Sequence, residues 1–143
     1  MYNKIIIAGN LGKDPELRYT PTGQAVVNLN VATNEIFTDA SGQRQERTIW
    51  WRVAVWGKQA EIVNQYLTRG QKVLVEGRMN ADPQTGGPRI YTKQDGTAGA
   101  SFEVTAQTIR FLSAKGEGSS AGGHGGVSDF ESPPPSSLDD IPF

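Results

Sequence analysis

Five stretches of the chain concentrate β-branched and aromatic side chains between turn-forming residues. They span residues 3–9, 25–33, 48–56, 72–79 and 101–112. This pattern predicts five β-strands. The segments between them, residues 12–23, 34–47 and 80–100, are rich in Gly, Pro, Asp, Thr and Gln, which favours loops or hairpins.

One helix is predicted between the third and fourth of these strands. Its apolar stripe consists of Ile62, Val63, Tyr66 and Leu67, and Gly70 is placed as a C-terminal cap. The order β-β-β-α-β-β is the one expected of a five-stranded OB-fold barrel. A five-stranded sandwich is the alternative, but the position of the single helix favours the barrel. We therefore expect a mainly β domain over residues 1–112.

The chain changes character after Leu112. Residues 113–137 interleave glycines with serines and contain three consecutive prolines. Such a segment cannot bury enough apolar surface to offset its ordering entropy. We expect it to be a disordered linker.

Residues 138–143 combine two acidic residues with apolar side chains. Apolar side chains suit a pocket on a partner protein, and the acids suit a rim of Lys or Arg around it. An inert solubilising tail is the alternative, but it would not need the apolar residues. We expect a partner-docking tip built from Asp139, Asp140, Ile141, Pro142 and Phe143.

Charge divides the chain at the same point. The net charge is −1, yet residues 1–112 hold 13 Lys or Arg against 10 Asp or Glu, which gives +3. Residues 113–143 hold one Lys against five acids, which gives −4. The chain is therefore a mildly basic domain with an acidic appendage.

The composition argues against several function classes. The chain has no cysteine, so disulfides and thiolate metal sites are excluded. Its one histidine, His124, lies in the Gly/Ser-rich segment, which leaves no structured base for catalysis. The segment from Gly9 to Lys13 has the wrong spacing for a phosphate-binding loop, and Asp139 with Asp140 supplies too few metal ligands. We expect no enzyme activity, no cofactor and no metal.

An apolar run near the N-terminus is too short for a signal peptide or a membrane span. A cytoplasmic location without membrane contact is the resulting expectation.

The third predicted strand carries the most informative pattern. Because side chains alternate between the faces of a strand, Trp50, Arg52 and Trp56 share one face. The other face holds Ile49, Trp51, Val53 and Val55. Two indoles that flank a guanidinium suit an unpaired polynucleotide, since each stacked base contributes roughly 1–3 kcal/mol whatever its identity. Packing under a loop or in an interface is the alternative for such rings.

Further residues extend this candidate site. Phe37 and Tyr91, in the predicted loops after the second and fourth strands, would add stacking rings. The candidate phosphate contacts are Lys4, Lys13, Arg18, Arg52, Lys58, Lys72 and Arg78, with Arg89 and Lys93 as supporting cations.

These residues together resemble the bacterial-type single-stranded DNA-binding protein family. The resemblance lies in residues 3–19, 32–33, 50–53, 56–58, 60–61, 66–67 and 70, and in the acidic tip at 139–143. It implies an OB fold, a homotetramer and sequence-independent binding of single-stranded DNA. It also implies base stacking on Phe37, Trp50 and Trp56, and roles in DNA replication, recombination and repair at the nucleoid, with partner proteins held by the tip.

The chain departs from the family pattern at two places. Residues 80–88 are acidic and rich in Gly and Pro where members often carry basic residues. Trp51 stands where many members carry a histidine at a subunit contact, and we expect it to pack within or between subunits. Three other functions remain open: a single-stranded RNA module, a small nucleotide-hydrolysing protein, and an OB module that serves only as a scaffold.

Overall fold

A computed structural model describes residues 2–113. The expectations for the rest of the linker and for the docking tip at residues 138–143 lie outside the described residues. The described chain runs in the order β1 (Ile5–Leu11), β2 (Glu16–Tyr19), β3 (Ala25–Thr38), β4 (Arg44–Trp56), α1 (Lys58–Tyr66), β5 (Lys72–Met79), β6 (Arg89–Thr92) and β7 (Ala98–Phe111).

The five longest strands close into a barrel. The hydrogen-bonded path runs β1-β5-β7-β4-β3, and β1 also pairs with β3, which closes the ring. Strands β4 and β7 are parallel, whereas the other neighbours in the ring are antiparallel. The helix lies after the third of these five strands, as the sequence predicts, so the expected OB-fold barrel is confirmed. The two short strands are appendages, β2 on β3 and β6 on β7.

The barrel interior is filled by alternate residues of the long strands. It consists mainly of valines and leucines with no more than 3% of their surface exposed: Ile7, Leu11, Val27, Leu29, Val31, Val53, Val55, Val73, Val75 and Val104. Each such side chain contributes about 1.5–3 kcal/mol by leaving water. This alternation leaves the other residues of each strand on the outer surface of the barrel.

Gly9 allows β1 to close onto β3. A Cβ atom at this position would collide with the carbonyl oxygen of Ala32 and lie 2.9 Å from Cγ1 of Val31. The glycine therefore serves the bend of a barrel strand. A phosphate-binding loop is not needed to explain it.

The helix differs in detail from its predicted form. Ala60, Val63 and the C-cap residue Leu67 join the core, whereas Ile62 and Tyr66 stay exposed. Gly70 is not the helix cap. It adopts φ 87° in the following turn, and its N–H donates to the carbonyl oxygen of Leu11. Packing against the barrel thus keeps Val63 and Leu67 of the predicted stripe and buries Ala60 in place of Ile62 and Tyr66.

Two segments that are predominantly polar contain strands. Strands β3 and β4 remain paired out to Thr38 and Arg44, so Phe37 lies on a strand and not in a loop. Likewise Tyr91 lies on β6, paired with Gly99 of β7. Local composition suggested loops at these sites, but cross-strand hydrogen bonding overrides such local preferences.

The turn between β3 and β4 is organised by Asp39. Its carboxylate accepts hydrogen bonds from the Ser41 hydroxyl, the Gln45 amide and the backbone N–H of Gln43. These bonds, led by that from Ser41, lower the pKa of Asp39 from 3.8 to about 2. The ionised carboxylate therefore stabilises the turn of this hairpin.

Candidate nucleic-acid interface

The aromatic face expected on the third long strand is present on β4. Trp50 is 55% exposed and Trp56 is 42% exposed, and Arg52 projects between them on the same outer face. Their partners on β3 are Ala32, Asn30 and Val26. These partners are smaller than the rings opposite them. Two indole faces therefore remain open to solvent on one side of the barrel.

Trp50 and Arg52 line a groove of about 430 Å³ between β4 and the hairpin formed by β6 and β7. Tyr91 forms part of the opposite wall and is 42% exposed. Trp51 and Phe102 also line it. Trp50, Arg52 and Tyr91, which the sequence predicts to share one site, therefore line the same groove. Two exposed rings and a guanidinium in one groove provide the chemistry that base stacking and phosphate contact require.

Phe37 lies on the part of the β3–β4 hairpin beyond the barrel. Strand alternation places it on the face opposite to that of Trp50, paired with Gln45. The guanidinium of Arg47 lies 5.1 Å from the centre of its ring and also donates to Glu35 over 2.7 Å. Because Arg47 lines the groove as well, it connects Phe37 to that surface. Sequence reasoning missed Arg47, since its segment was expected to be a loop.

Trp51 points away from the two exposed indoles. Its side chain is partly buried against the core, and its indole N–H donates to the Thr33 hydroxyl over 2.9 Å. Its ring lies 5.2 Å from that of Phe102 at an interplanar angle of 42°. These contacts place Trp51 in packing within the protomer.

Three of the candidate cations form ion pairs. Lys4 pairs with Glu76, and this hydrogen bond raises the pKa of the lysine. Lys13 lies 3.0 Å from Glu16 and by its hydrogen bond lowers the pKa of that carboxyl. The third, Arg52, pairs with Glu103 of the neighbouring strand β7. The pairs of Lys4 and Lys13 are accessible to solvent on both sides and such pairs are weak, so these lysines can exchange partners with phosphate.

The other candidate cations, Arg18, Lys58, Lys72 and Arg78, form no ion pair within residues 2–113. Arg18 pairs with Val26, which in turn pairs with Trp56, so all three share one row of the outer face. Lys58 opens the helix two residues after Trp56.

The two cations of β5 differ in their distance from the indoles. Lys72 shares a row with Trp50 through Asn10 and Ala32, three strands away. Arg78 pairs with Thr105 on β7, which in turn pairs with Ala54 of β4, so Arg78 lies two strands from the indole face, as Arg18 does. Lys4 is bound to Glu76 of β5. The structure therefore groups Arg18, Arg52, Lys58 and Arg78 with the indoles and places Lys4 and Lys72 farther round the barrel.

Glu103 pairs with the groove residue Arg52 and was not predicted from the sequence. Its side chain is 13% exposed and lies 3.7 Å from Arg52 and 3.9 Å from Arg89. It also accepts a hydrogen bond from the Ser101 hydroxyl over 2.9 Å. The Glu103 carboxylate, on β7, thus contacts one cation of β4 and one of β6. No local signal in the sequence marks it, because the contact depends on the pairing of β4 with β7.

Residues 2–113 contain no group of three or more His, Cys, Asp or Glu side chains arranged to hold a metal ion. In the same part of the chain, no helix has both the length and the apolar surface needed to cross a bilayer.

Comparison with known sequences gives consistent matches. The Single-strand binding protein family matches residues 2–112. A single-stranded DNA-binding protein of Neisseria meningitidis is 41% identical over 117 residues, which are 82% of this chain and 63% of that protein. The chain therefore spans less than two thirds of that relative. Single-stranded DNA-binding protein 1 of Chlorobaculum tepidum is 41% identical over 89% of this chain and 71% of its own length.

Solved structures give the same fold. A deletion mutant of the single-stranded DNA binding protein from Thermus aquaticus matches with a TM-score of 0.62 and 34% identity, over 80% of this chain and 52% of that one. A Plasmodium falciparum protein, in a structure described as a complex with ssDNA, matches with a TM-score of 0.63 over 79% of this chain and 96% of that one. At 22% identity, this second match shows the fold alone.

Proposed function

The chain belongs to the single-strand binding protein family, and from that premise we propose that it binds and protects single-stranded DNA without sequence preference. The observation that carries the proposal is the pair of exposed indoles, Trp50 and Trp56, with Arg52 between them on one face of β4. An indole offers a flat π-surface to any base, and a guanidinium neutralises phosphate. Neither contact reads a base edge, so binding is tolerant of sequence.

The spacing of the rings defines the scale of the site. Trp50 and Trp56 are six residues apart, which in a strand is about 20 Å. Several nucleotides therefore separate the two stacked bases, and Arg52 lies under the connecting backbone. In this proposal Phe37, Trp50, Trp56 and Tyr91 stack bases. Phosphates contact Lys4, Lys13, Arg18, Arg52, Lys58, Lys72 and Arg78.

Glu103, the acid beside Arg52, is consistent with weak, exchangeable contacts between the arginines and the DNA backbone. Arg52 and Arg89 lie at 3.7 and 3.9 Å from the Glu103 carboxylate, which is longer than a close charge-assisted hydrogen bond. Both guanidiniums are more than half exposed. They remain available to a passing phosphate while Glu103 keeps them beside the groove.

The proposal extends to the organisation of the whole chain. Residues 1–112 form the DNA-binding domain, residues 113–137 the linker, and residues 138–143 dock partner proteins of replication, recombination and repair in the cytoplasm. The domains assemble as homotetramers. The outer face of β1 offers an apolar contact for assembly, since Ile6 is 63% exposed there. Sedimentation equilibrium of the full chain tests the tetramer, and a monomer would contradict it.

Titration with oligo-dT at two salt concentrations, followed by tryptophan emission, tests the function. We expect strong quenching, little response to duplex DNA, and an affinity that falls with salt by a log–log slope of about −0.7 per phosphate contacted. Unchanged emission and no binding would contradict the proposal. Matched RNA oligomers provide the second arm, because tighter binding of RNA would favour the single-stranded RNA alternative.

No catalytic step is part of the proposal. The family consists of non-enzymatic DNA-binding proteins, which agrees with the expectation from the composition. Stacking and charge neutralisation are sufficient for the binding described above.

A further inference from the structure

We propose that Gly12 and Gly99 are positioning residues that hold two stacking rings, Trp50 and Tyr91, close against the barrel. Each glycine leaves a seat, a space without a side chain, that part of the ring occupies: the edge of the indole at Gly12 and the phenol ring at Gly99. The inference rests on the proposed function, because it concerns how these rings are presented to bases.

Gly12 lies against the edge of the Trp50 indole. A Cβ atom built on Gly12 would be 2.8 Å from Cη2 of Trp50 and closer still to Cζ3. Real Cβ contacts are not this short, so the ring occupies the space that any side chain at position 12 would need. The glycine is itself fixed, since its N–H donates to the carbonyl oxygen of Asn30 over 2.9 Å.

A second close approach of a ring to a glycine occurs on the other side of the groove. Gly99 pairs with Tyr91 in the β6–β7 ladder. A Cβ atom there would lie 2.8 Å from Cζ and 3.0 Å from Cε2 of that tyrosine. Two rings that line one groove therefore each occupy the space that a side chain on a neighbouring glycine would need.

Neither a positive φ nor a close approach of another backbone segment explains why these two positions are glycine. The described glycines with positive φ are at 23, 42, 57, 70, 86 and 96, and neither Gly12 nor Gly99 is among them. At Gly9 and Gly77 the obstructing atom is a backbone carbonyl oxygen, so closure of the barrel accounts for them. At Gly12 and Gly99 the obstruction is an aromatic ring, and their backbone conformation suits other residues.

A ring seated in this way is ordered before DNA arrives. An exposed indole on an open surface samples several rotamers, and fixing it on binding reduces affinity. Contact with the glycine backbone restricts that freedom and holds the ring at a set angle. A methyl group at position 12 would push the edge of the indole away from the barrel. Since the displaced atoms are the free end of a half-exposed side chain, folding would be little affected.

Gly12→Ala tests the seat, with Gly87→Ala as the matched control. At Gly87 an added Cβ lies 3.6 Å from its nearest neighbour, Oγ1 of Thr85, and φ is not positive. We expect Gly12→Ala to weaken oligo-dT binding about 3- to 10-fold, because one base stack is misaligned. Its melting temperature should stay near that of the parent, and the control should bind normally.

A double-mutant cycle with Trp50→Ala shows whether Gly12→Ala lowers the affinity for DNA through the Trp50 indole. If Gly12 acts through the indole, Gly12→Ala causes no further loss of affinity when Trp50 is already alanine. An equal loss in both backgrounds, or parent affinity in Gly12→Ala alone, overturns the inference. If Trp50→Ala itself binds as tightly as the parent, the proposed function fails instead. Gly99→Ala with Tyr91→Ala repeats the cycle at the second ring, independently of whether the first variant folds.

Discussion

Replacing Trp51 with alanine should damage folding more than DNA binding, and replacing its neighbour Trp50 should do the reverse. The two tryptophans are adjacent in sequence but lie on opposite faces of β4. Trp51 is partly buried against the core, contacts the ring of Phe102 and donates to the Thr33 hydroxyl. Trp50 is 55% exposed on the candidate interface.

The size of the effect follows from these contacts. Truncation of a fully buried large aromatic residue to alanine costs about 3–5 kcal/mol. The lost hydrogen bond and aromatic pair, worth about 1 kcal/mol each, are included in that range. Because Trp51 retains some exposure, we expect a loss near the lower end, about 3 kcal/mol. For the exposed Trp50 we expect a change within about 0.5 kcal/mol.

Urea unfolding, followed by circular dichroism, measures both values. With an m-value of about 1.5 kcal/mol per molar urea, Trp51→Ala should lower the midpoint by about 2 M. All variants are compared at one protein concentration, because assembly would add a concentration-dependent contribution to stability. Oligo-dT titration of the same samples should show the larger loss for Trp50→Ala. An unchanged midpoint for Trp51→Ala together with abolished DNA binding would refute its assignment to internal packing.

Three further outcomes are expected. Glu103→Gln should tighten oligo-dT binding about 2- to 5-fold at low salt, since a carboxylate about 8 Å from a phosphate repels it by roughly 0.5–1 kcal/mol. This gain in affinity should vanish at high salt, and the control variant Glu61→Gln on the helix should show little of it. Weaker binding by Glu103→Gln would contradict the reasoning. Asp39 should titrate near pH 2 by NMR; because its pKa is depressed in the fold, its stabilisation of the hairpin is present above pH 3.8 and is lost as pH falls toward 2. A normal pKa would mean that the turn hydrogen bonds do not form in solution. Deletion of residues 138–143 should leave oligo-dT affinity equal or higher while partner binding in pull-down assays is lost, whereas a large loss of DNA affinity would exclude a docking role.

The sequence predicts those features of the fold that depend only on the residues of a single strand or helix. The alternation along β4 separates Trp50 and Trp56 from the buried Val53 and Val55 without knowledge of any partner strand. The barrel follows from the order of such elements. The short strand β6 escapes prediction because its four residues are stabilised by pairing with β7, far along the chain.

The interface is less predictable for the same reason. Which cations lie near the indoles depends on the registers between strands. Arg78 shares a row with Ala54 of β4 two strands away, whereas Lys72 lies three strands from Trp50. The contact of Glu103 with Arg52 arises from the parallel pairing of β4 and β7, which no local pattern encodes. The close contacts of Gly12 and Gly99 with aromatic rings likewise depend on the three-dimensional positions of those rings.

The parallel pairing of β4 with β7 also has a consequence during synthesis. β4 carries both exposed indoles, Trp50 and Trp56, yet its second neighbour in the barrel is β7, the last strand of the described chain. As a ribosome releases the chain from its N-terminus, β4 emerges long before β7 and for that time has an unpaired edge. The groove is therefore completed only when the β7 segment has left the exit tunnel. A nascent chain that stalls before that point has its tryptophans but lacks the wall that faces them.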